Sequence, residues 1–514
     1  MSWIVIGEEN GSIKLVSKTE SDHELPGILP KGSFLTIDEK KSDAKFILRV
    51  DDSIQYEPFK PSPLIADMDL TGLFTDSTCQ NILNATRVKT ISSRKDGKLD
   101  FIHPRSFARR SNQEEVDLAF GNIEKGPRVF LATVQGGENQ KIIDEAGKNI
   151  TVRLPDDMFF HQMQIAGKTG SGKTVAMKYL AQYFVENLGG AVLAINVKDK
   201  DLLTMDAKTV TDDPEIIREW ENLDLQPHGI STATIYYPAT TDIRAVKNIN
   251  YDFAHKITLD VQTIEPESLS GLLQNISDVG AQNLPDIFRY WQANEDSSSF
   301  KKFVDYFNSG QKNPVFQTQN IRGDVSSITL HPGTHGNISR SLNSAQEFFD
   351  NEGAQILDET DILYPGKLSV INVTGKKGVQ FGSILLRDLL AKIVKAKSNQ
   401  KSDVPILVII DEVHQFYNTS DSREALDDLD TICRTGRSQK IGVIFASQNI
   451  NDIPKGLSSV INTKIIFRSD GSSGQNLAIR TDDLQSLSPG YAAVSVHNVP
   501  QLKIVKFPLA LAGV

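Results

Sequence analysis

Hydrophobic and polar positions alternate with two different periods along this chain, and the change falls near residue 155. Before it, short β-type runs recur: Trp3 to Ile6, Ile13 to Val16, Phe34 to Ile37, Phe46 to Val50 and Val129 to Val134. Turns rich in Gly, Pro, Asp and Ser separate them, which predicts a small, strand-rich barrel over residues 1–155. Residues 80–125 between these runs are mixed and charged, with SSRKDGK and HPRSFARR as basic clusters. Charge runs of this kind are most often solvated surface.

After residue 155, nearly continuous apolar runs alternate with helical patterns. The runs are Val192 to Val197, Ala233 to Tyr237, Leu368 to Val373, Ile406 to Ile410, Val443 to Ala446 and Lys464 to Phe467. Strands covered on both faces read this way, so residues 156–514 are expected to form an α/β domain on a parallel sheet. Residues 265–365 break the alternation, with EPESLSGLLQNISDVGAQ and LPDIFRYWQANEDSSSFKKFVDYFN patterned as amphipathic helices. That stretch is expected to be a helical insertion. Residues 490–508 predict a C-terminal β-hairpin.

Candidate chemistry enters at the end of the run Met163 to Ala166. The loop that follows is Gly167-Lys168-Thr169-Gly170-Ser171-Gly172-Lys173-Thr174, which fits G-x-x-x-x-G-K-[ST] at every fixed position. Glycines let the backbone curl and bring its N–H groups against phosphate oxygens, and the helix that follows adds its positive end. Lys173 is placed for the β- and γ-phosphates, and Thr174 for Mg²⁺. The stretch PILVIIDEVHQF ends a buried run in Asp411-Glu412. Asp411 is the expected carboxylate of the metal shell, and Glu412 the group that polarises the attacking water. The adjacent glutamate favours ATP hydrolysis coupled to motion over a GTPase switch. The expectation is that these acids stand on a strand neighbouring the P-loop strand. Gln448, ending GVIFASQ, is a candidate sensor amide. Arg434 and Arg437 in ICRTGRSQK share a helical face at i, i+3, and either is suited to a phosphoryl transition state in a neighbouring subunit. Arg468 is a weaker candidate.

Composition adjusts this picture in three places. The 514 residues are 39% hydrophobic and 23% charged, as in a globular chain of several domains. The net charge of -10 confines any nucleic-acid surface to a local feature such as a pore lining. Two cysteines, Cys79 and Cys433, make no disulfide framework or zinc spacing. The start, MSWIVIGEENG, lacks the pattern of a signal peptide, and no apolar stretch is long enough for a membrane span. A cytoplasmic protein without membrane contact is expected.

The motifs AGKTGSGKT, PILVIIDEVHQF, CRTGRSQKIGVIFASQNINDIP, SSVINTKIIFRS and LSPGYAAVSV, in that order, resemble the HerA branch of the HerA/FtsK ATPases over roughly residues 156–510. The strand-rich start resembles, by position and pattern, the HAS barrel of HerA proteins. The resemblance implies a RecA-like ATPase domain and a homohexameric ring that translocates double-stranded DNA using ATP and Mg²⁺. It also implies a separate partner, a NurA-type nuclease or, in bacterial antiphage systems, a nuclease or sirtuin-like effector. It assigns Lys173 and Thr174 to Walker A, Asp411 and Glu412 to Walker B, Gln448 to the sensor, and the segment of Arg434 and Arg437 to the intersubunit arginine. One departure stands out. Many relatives have an aspartate after the second strand, whereas INVKDKD has Asn196 there, with Asp199 and Asp201 displaced. DNA contacts are expected from the insertion or from near Lys198 and Lys200. A second reading is an ATP-stabilised ring scaffold that gathers an effector enzyme. A third is a conjugation or secretion ATPase, relatives of which often carry membrane anchors or very large N-terminal domains.

Overall fold

The computed structural model describes residues 3–17, 29–39, 43–56, 80–92, 100–198, 200–242, 249–273, 282–296, 298–417, 429, 432, 436–453, 457, 460–470, 479–497, 499 and 502–514. Two compact units form: Met1–Asp156 with Asp470–Pro508, and Asp157–Ser469 with Leu509–Val514.

The first unit begins with strands β1 (Trp3–Glu9), β2 (Ser12–Ser17), β3 (Phe34–Glu39), β4 (Ala44–Tyr56), β5 (Gln80–Ser92) and β6 (Phe107–Arg110). They close into an antiparallel barrel in the order β1-β2-β5-β4-β3-β6, as the alternating runs predict. Closure removes the free edges that short antiparallel strands would otherwise expose. Trp3, Val5, Ile13, Leu15, Leu35, Ile37, Phe46 and Leu48 fill its interior. The helix α1 (Gln113–Ala119) starts in a capping box of Asn112 and Glu115. Glu115 is buried, and it accepts from Thr36 Oγ1 (2.9 Å), Lys45 Nζ (3.0 Å) and Arg109 Nη2 (2.7 Å). Burial pushes its carboxyl up, but these donors and the Asn112 backbone outweigh it and hold the group down at about 2. Arg109 of the basic HPRSFARR stretch is thus engaged by Glu115, Asp38 and Glu145. Most of the SSRKDGK cluster lies outside the described residues. Strands β7 (Arg128–Gln135), β8 (Glu138–Lys141) and β9 (Thr151–Arg153) follow, with β7 pairing to both others.

Among the described residues, the parallel sheet of the second unit has nine strands: β10 (Met163–Ala166), β11 (Ala191–Asn196), β12 (Ala233–Pro238), β13 (Ala254–Thr258), β16 (Gln355–Ile356), β17 (Leu368–Asn372), β18 (Ile406–Ile410), β19 (Ile441–Ser447) and β20 (Thr463–Ile466). Their order is β16-β13-β12-β17-β11-β18-β19-β10-β20, and every pairing among them is parallel. All residues of β11, β17, β18 and β19 are buried, which is why they read as unbroken apolar runs. Helices α2 (Lys173–Asn187), α3 (Pro214–Asn222) and the 24-residue Gly375–Ser398 helix supply crossovers. This is the RecA-like parallel sheet that the sequence predicts, with the Gly167–Thr174 loop following β10.

Two expectations need correction. Residues 265–365 are not purely helical. Helices Leu284–Asn294, Phe300–Ser309 and Pro332–Ala345 are present, but β14 (Val315–Gln319) and β15 (Val325–Thr329) form an antiparallel pair among them, and β16 joins the main sheet. In β14 only Phe316 and Thr318 are buried and in β15 no residue is, so neither offers an apolar run to read. Second, β18, which leads to Asp411, does not neighbour the P-loop strand. β19 lies between β18 and β10. The expected C-terminal hairpin forms as β21 (Tyr491–Ser495) and β22 (Ile504–Lys506); it belongs to the first unit, where β22 pairs with β7.

Candidate nucleotide site

Parallel strands end their carboxyl termini on one edge, and the candidate residues collect there. Ala166 pairs with Ser447, Ile410 with Phe445, and Ile195 with Ile410. The loop after β10, Gln448 after β19, Asp411 after β18 and Asn196 closing β11 are therefore brought side by side.

The loop is shaped by its glycines. Gly167, Gly170 and Gly172 have positive φ (153°, 75° and 106°). A Cβ at Gly167 would lie 2.7 Å from Phe467 Cβ and 2.9 Å from Ser171 Oγ, so only glycine fits. Lys168 N donates to the Arg468 carbonyl at 2.8 Å and Gly167 N to Ser447 at 3.3 Å, anchoring the loop to both flanking strands. Gly172 caps α2 with no side-chain hydrogen bond, so the first-turn N–H groups are left for an anion. Lys168, Thr169 and Gly170 are exposed. Lys173 is buried, and its Nζ donates to the carbonyls of Gly167 and Lys168. Burial, helped by the nearby Lys198 charge, lowers its pKa.

Asp411 and Glu412 are each 2% exposed or less. Glu412 adopts the left-handed conformation (φ 49°, ψ 54°), a strain of about 1–3 kcal/mol for a side chain with a Cβ. That turn aims its carboxylate at Gln448, whose Nε2 donates to Glu412 Oε1 at 3.1 Å. Burial raises the Glu412 pKa, but Gln448 and Lys198 reverse this and the net shift is downward, so the group is an ionised acceptor. Asp411 is shifted upward, burial exceeding the opposing pull of Lys198.

The sequence places Lys198 near expected DNA contacts and Asp201 as a displaced acid, and assigns neither to the carboxylate cluster. Lys198 Nζ lies 3.0 Å from Glu412 Oε1, 3.4 Å from Asp411 Oδ2 and 3.7 Å from Asp201 Oδ2. Burial lowers its pKa, yet these carboxylates prevail and raise it. Thr174 Oγ1 donates to Asp201 Oδ2 at 3.4 Å. Asn196 turns the chain back: its Nδ2 donates to Lys198 O (2.5 Å) and Asn372 Oδ1 (3.3 Å), and its Oδ1 accepts from Leu202 N (3.2 Å). A polar amide ending a buried strand next to the Asp411 strand was the available signal. Lys198 is thus committed to the carboxylates rather than standing free for another ligand.

Arg437 is not part of this cluster. Arg434 lies outside the described residues. Arg437 is 67% exposed and its Nη2 lies 3.9 Å from Asp157 Oδ2. Arg437 precedes β19 and Asp157 precedes β10, so this pair stands at the amino-terminal edge of the sheet, opposite the loop. Arg468 meets the loop through its backbone carbonyl.

The donor set fits a magnesium–nucleotide complex. Ser171 Oγ, Asp411 Oδ2 and Glu412 Oε2 are buried without hydrogen-bond partners among the described residues. Thr174 and the carboxylates offer hard oxygen ligands, and magnesium takes one or two of these plus phosphate oxygens and water.

No family model matches the chain. In sequence it is similar to proteins named DNA double-strand break repair helicase HerA: 23% identity over 380 residues to that of Saccharolobus solfataricus, covering 70% of this chain and 66% of the relative. To that of Pyrococcus furiosus the identity is 21% over 392 residues, covering 67% and 65%. To that of Sulfurisphaera tokodaii it is 27% over 194 residues, covering 34% and 39%. The chain thus spans less than two thirds of the length of these relatives, from 39% to 66%. Among solved structures, the bacterial conjugative coupling protein TrwBdeltaN70 aligns with a TM-score of 0.48 at 11% identity, over 78% of this chain and 92% of that one. VirB4 of Thermoanaerobacter pseudethanolicus aligns with a TM-score of 0.43 at 12% identity, over 75% and 97%. A likeness at that level carries no functional weight.

Proposed function

We propose that this chain, a HerA-like P-loop ATPase of the HerA/FtsK superfamily, hydrolyses ATP in a magnesium-dependent reaction to translocate double-stranded DNA. The observation that carries this reading is the meeting of the loop, Asp411-Glu412 and Gln448 at the ends of three adjacent strands. When ATP enters, Lys173 exchanges the carbonyls of Gly167 and Lys168 for the β- and γ-phosphate oxygens. The backbone of Gly167 to Thr174 wraps the phosphates. Thr174 and Asp411 would hold the magnesium ion, which supplies charge neutralisation at the phosphates when bound. Glu412, ionised and oriented by Gln448, accepts the proton of the attacking water. An arginine of a neighbouring copy, Arg434 or Arg437, completes the charge at the transferring phosphoryl group.

The working unit in this reading is a homohexameric ring. Sequential hydrolysis would draw the DNA backbone through the pore without reading bases. A separate nuclease or sirtuin-like effector would act with the ring, in DNA-end processing or antiphage defence.

The test is ATP turnover by purified protein beside Glu412→Gln, with and without linear double-stranded DNA, with mass determined in the same buffer. A ring-sized protein stimulated by DNA and silenced by Glu412→Gln is expected. A ring whose turnover ignores DNA points instead to an ATP-stabilised scaffold for an effector. Absence of turnover under every condition removes the hydrolase reading.

A further inference from the structure

We infer that Lys198 is an internal cation that competes with magnesium for the Asp411 and Glu412 carboxylates and is displaced onto Asp201 when magnesium–nucleotide binds. This deepens the proposed ATPase reading and rests on it. Lys198 Nζ stands between both carboxylates, 3.4 Å from Asp411 Oδ2 and 3.0 Å from Glu412 Oε1. Asp411 Oδ2 is buried and makes no hydrogen bond among the described residues, and Lys198 is the cation beside it, so it is the oxygen for which the lysine and a metal would compete. Magnesium sits about 2.1 Å from an oxygen ligand. An ammonium already against that oxygen and a dication cannot share the space, since like charges a few ångströms apart repel strongly.

The route out is also present. The Lys198 side chain is 39% exposed, so it swings without crossing the core. Asp201 Oδ2 lies 3.7 Å from its Nζ and 3.4 Å from Thr174 Oγ1. Asp201 Oδ2 has acceptor capacity beyond its bond from Thr174, so it would receive the lysine once the metal takes the Asp411 side. Asn196 grips the Lys198 carbonyl and Leu202 N, so the exchange asks only for a movement of the Lys198 side chain. Lys198 is therefore a positioning residue. Without nucleotide it stops two buried carboxylates from repelling each other. With nucleotide it must release Glu412 before Glu412 accepts a proton.

The test measures binding of a fluorescent ADP analogue to the full chain in EDTA and in excess Mg²⁺, for wild type, Lys198→Met and Lys198→Arg. Removing the competing charge should raise the magnesium enhancement of affinity, the ratio of the two Kd values, at least about tenfold in Lys198→Met, as expected for an opposite charge in contact. Lys198→Arg should stay near wild type. Lys198→Gln, which keeps a donor without the charge, answers the same question if the methionine variant does not fold. An unchanged or smaller ratio in the uncharged variants overturns the inference. So does equal loss of affinity with and without magnesium, which would make Lys198 a phosphate ligand. A wild type that binds no ADP under either condition overturns the ATPase reading itself, and the inference falls with it.

Discussion

Lys178 lies on the P-loop helix one turn beyond Thr174 and is buried. Its Nζ donates to the Gly513 carbonyl, which also accepts from Thr204 Oγ1 at 3.0 Å. Burial, only partly opposed by Asp201, depresses its pKa from 10.5 to about 8. Below pH 8 both folded and unfolded chains hold the proton, and the folded state bears the full burden of a desolvated charge. Between pH 8 and 10.5 the folded chain has released the proton while the unfolded chain retains it, so stability rises with pH in that window. The shift corresponds to about 3 kcal/mol at 1.36 kcal/mol per unit. Replacing Lys178 with Met removes this burden and forfeits one hydrogen bond worth about 1 kcal/mol. The Gly513 carbonyl keeps Thr204, so no acceptor is stranded. Lys178→Met should therefore be about 2 kcal/mol more stable than wild type at pH 7 and about 1 kcal/mol less stable near pH 10.5. Urea unfolding of both proteins at pH 7, 8.5 and 10 measures the difference, in which all other titrations cancel. Curves that run parallel across this range refute the reasoning.

Other outcomes follow from the same geometry. Glu412→Gln preserves an acceptor for Gln448 but removes the base, so single-turnover hydrolysis should fall by about 10²–10⁴ with nucleotide affinity nearly unchanged; comparable loss in both would place Glu412 in binding instead. Gly167→Ala drives a Cβ against Phe467 and Ser171 at positive φ, and equilibrium titration should show nucleotide binding abolished, with about 1–3 kcal/mol lost in stability. Glu115, held at about 2 against 4.5 unfolded, contributes stability above pH 4.5 that disappears as pH falls through about 2; Glu115→Gln should flatten the acid limb of the barrel's unfolding curve measured by circular dichroism. DNA affinity should fall linearly on a plot of log K against log salt, and a salt-independent affinity would argue against backbone contacts.

The sequence made some of this legible because one residue type at one spacing had one physical use. The P-loop glycines, Lys173, Asp411 and Glu412 are such cases, and the apolar runs of β11, β17, β18 and β19 follow from burial on both faces. What stayed hidden depends on order in space. Nothing in the runs themselves says that β19 inserts between β10 and β18, yet that insertion is what delivers Gln448 to Glu412. Strand β13 carries exposed His255 and Lys256 and shows too little apolar pattern to be read. In the sequence Lys198 reads only as one of the lysines near which DNA contacts are expected. Its partners are set by the turn at Asn196, a tertiary arrangement that charge counting does not reach.

Arg437 and the P-loop stand at opposite ends of the same parallel strands, roughly 20 Å apart by the rise of about 3.3 Å per residue along the seven residues of β19. An arginine so placed never reaches its own phosphate loop. If it serves catalysis, copies meet head to tail, each one donor to the next and recipient from the last. A twofold pair, which sets like against like, leaves both sites incomplete. Closure of the chain of copies into a circle then fixes as many complete sites as there are members. One defective copy would silence a junction it shares with a sound neighbour, so mixed assemblies should lose activity faster than the fraction of defective chains.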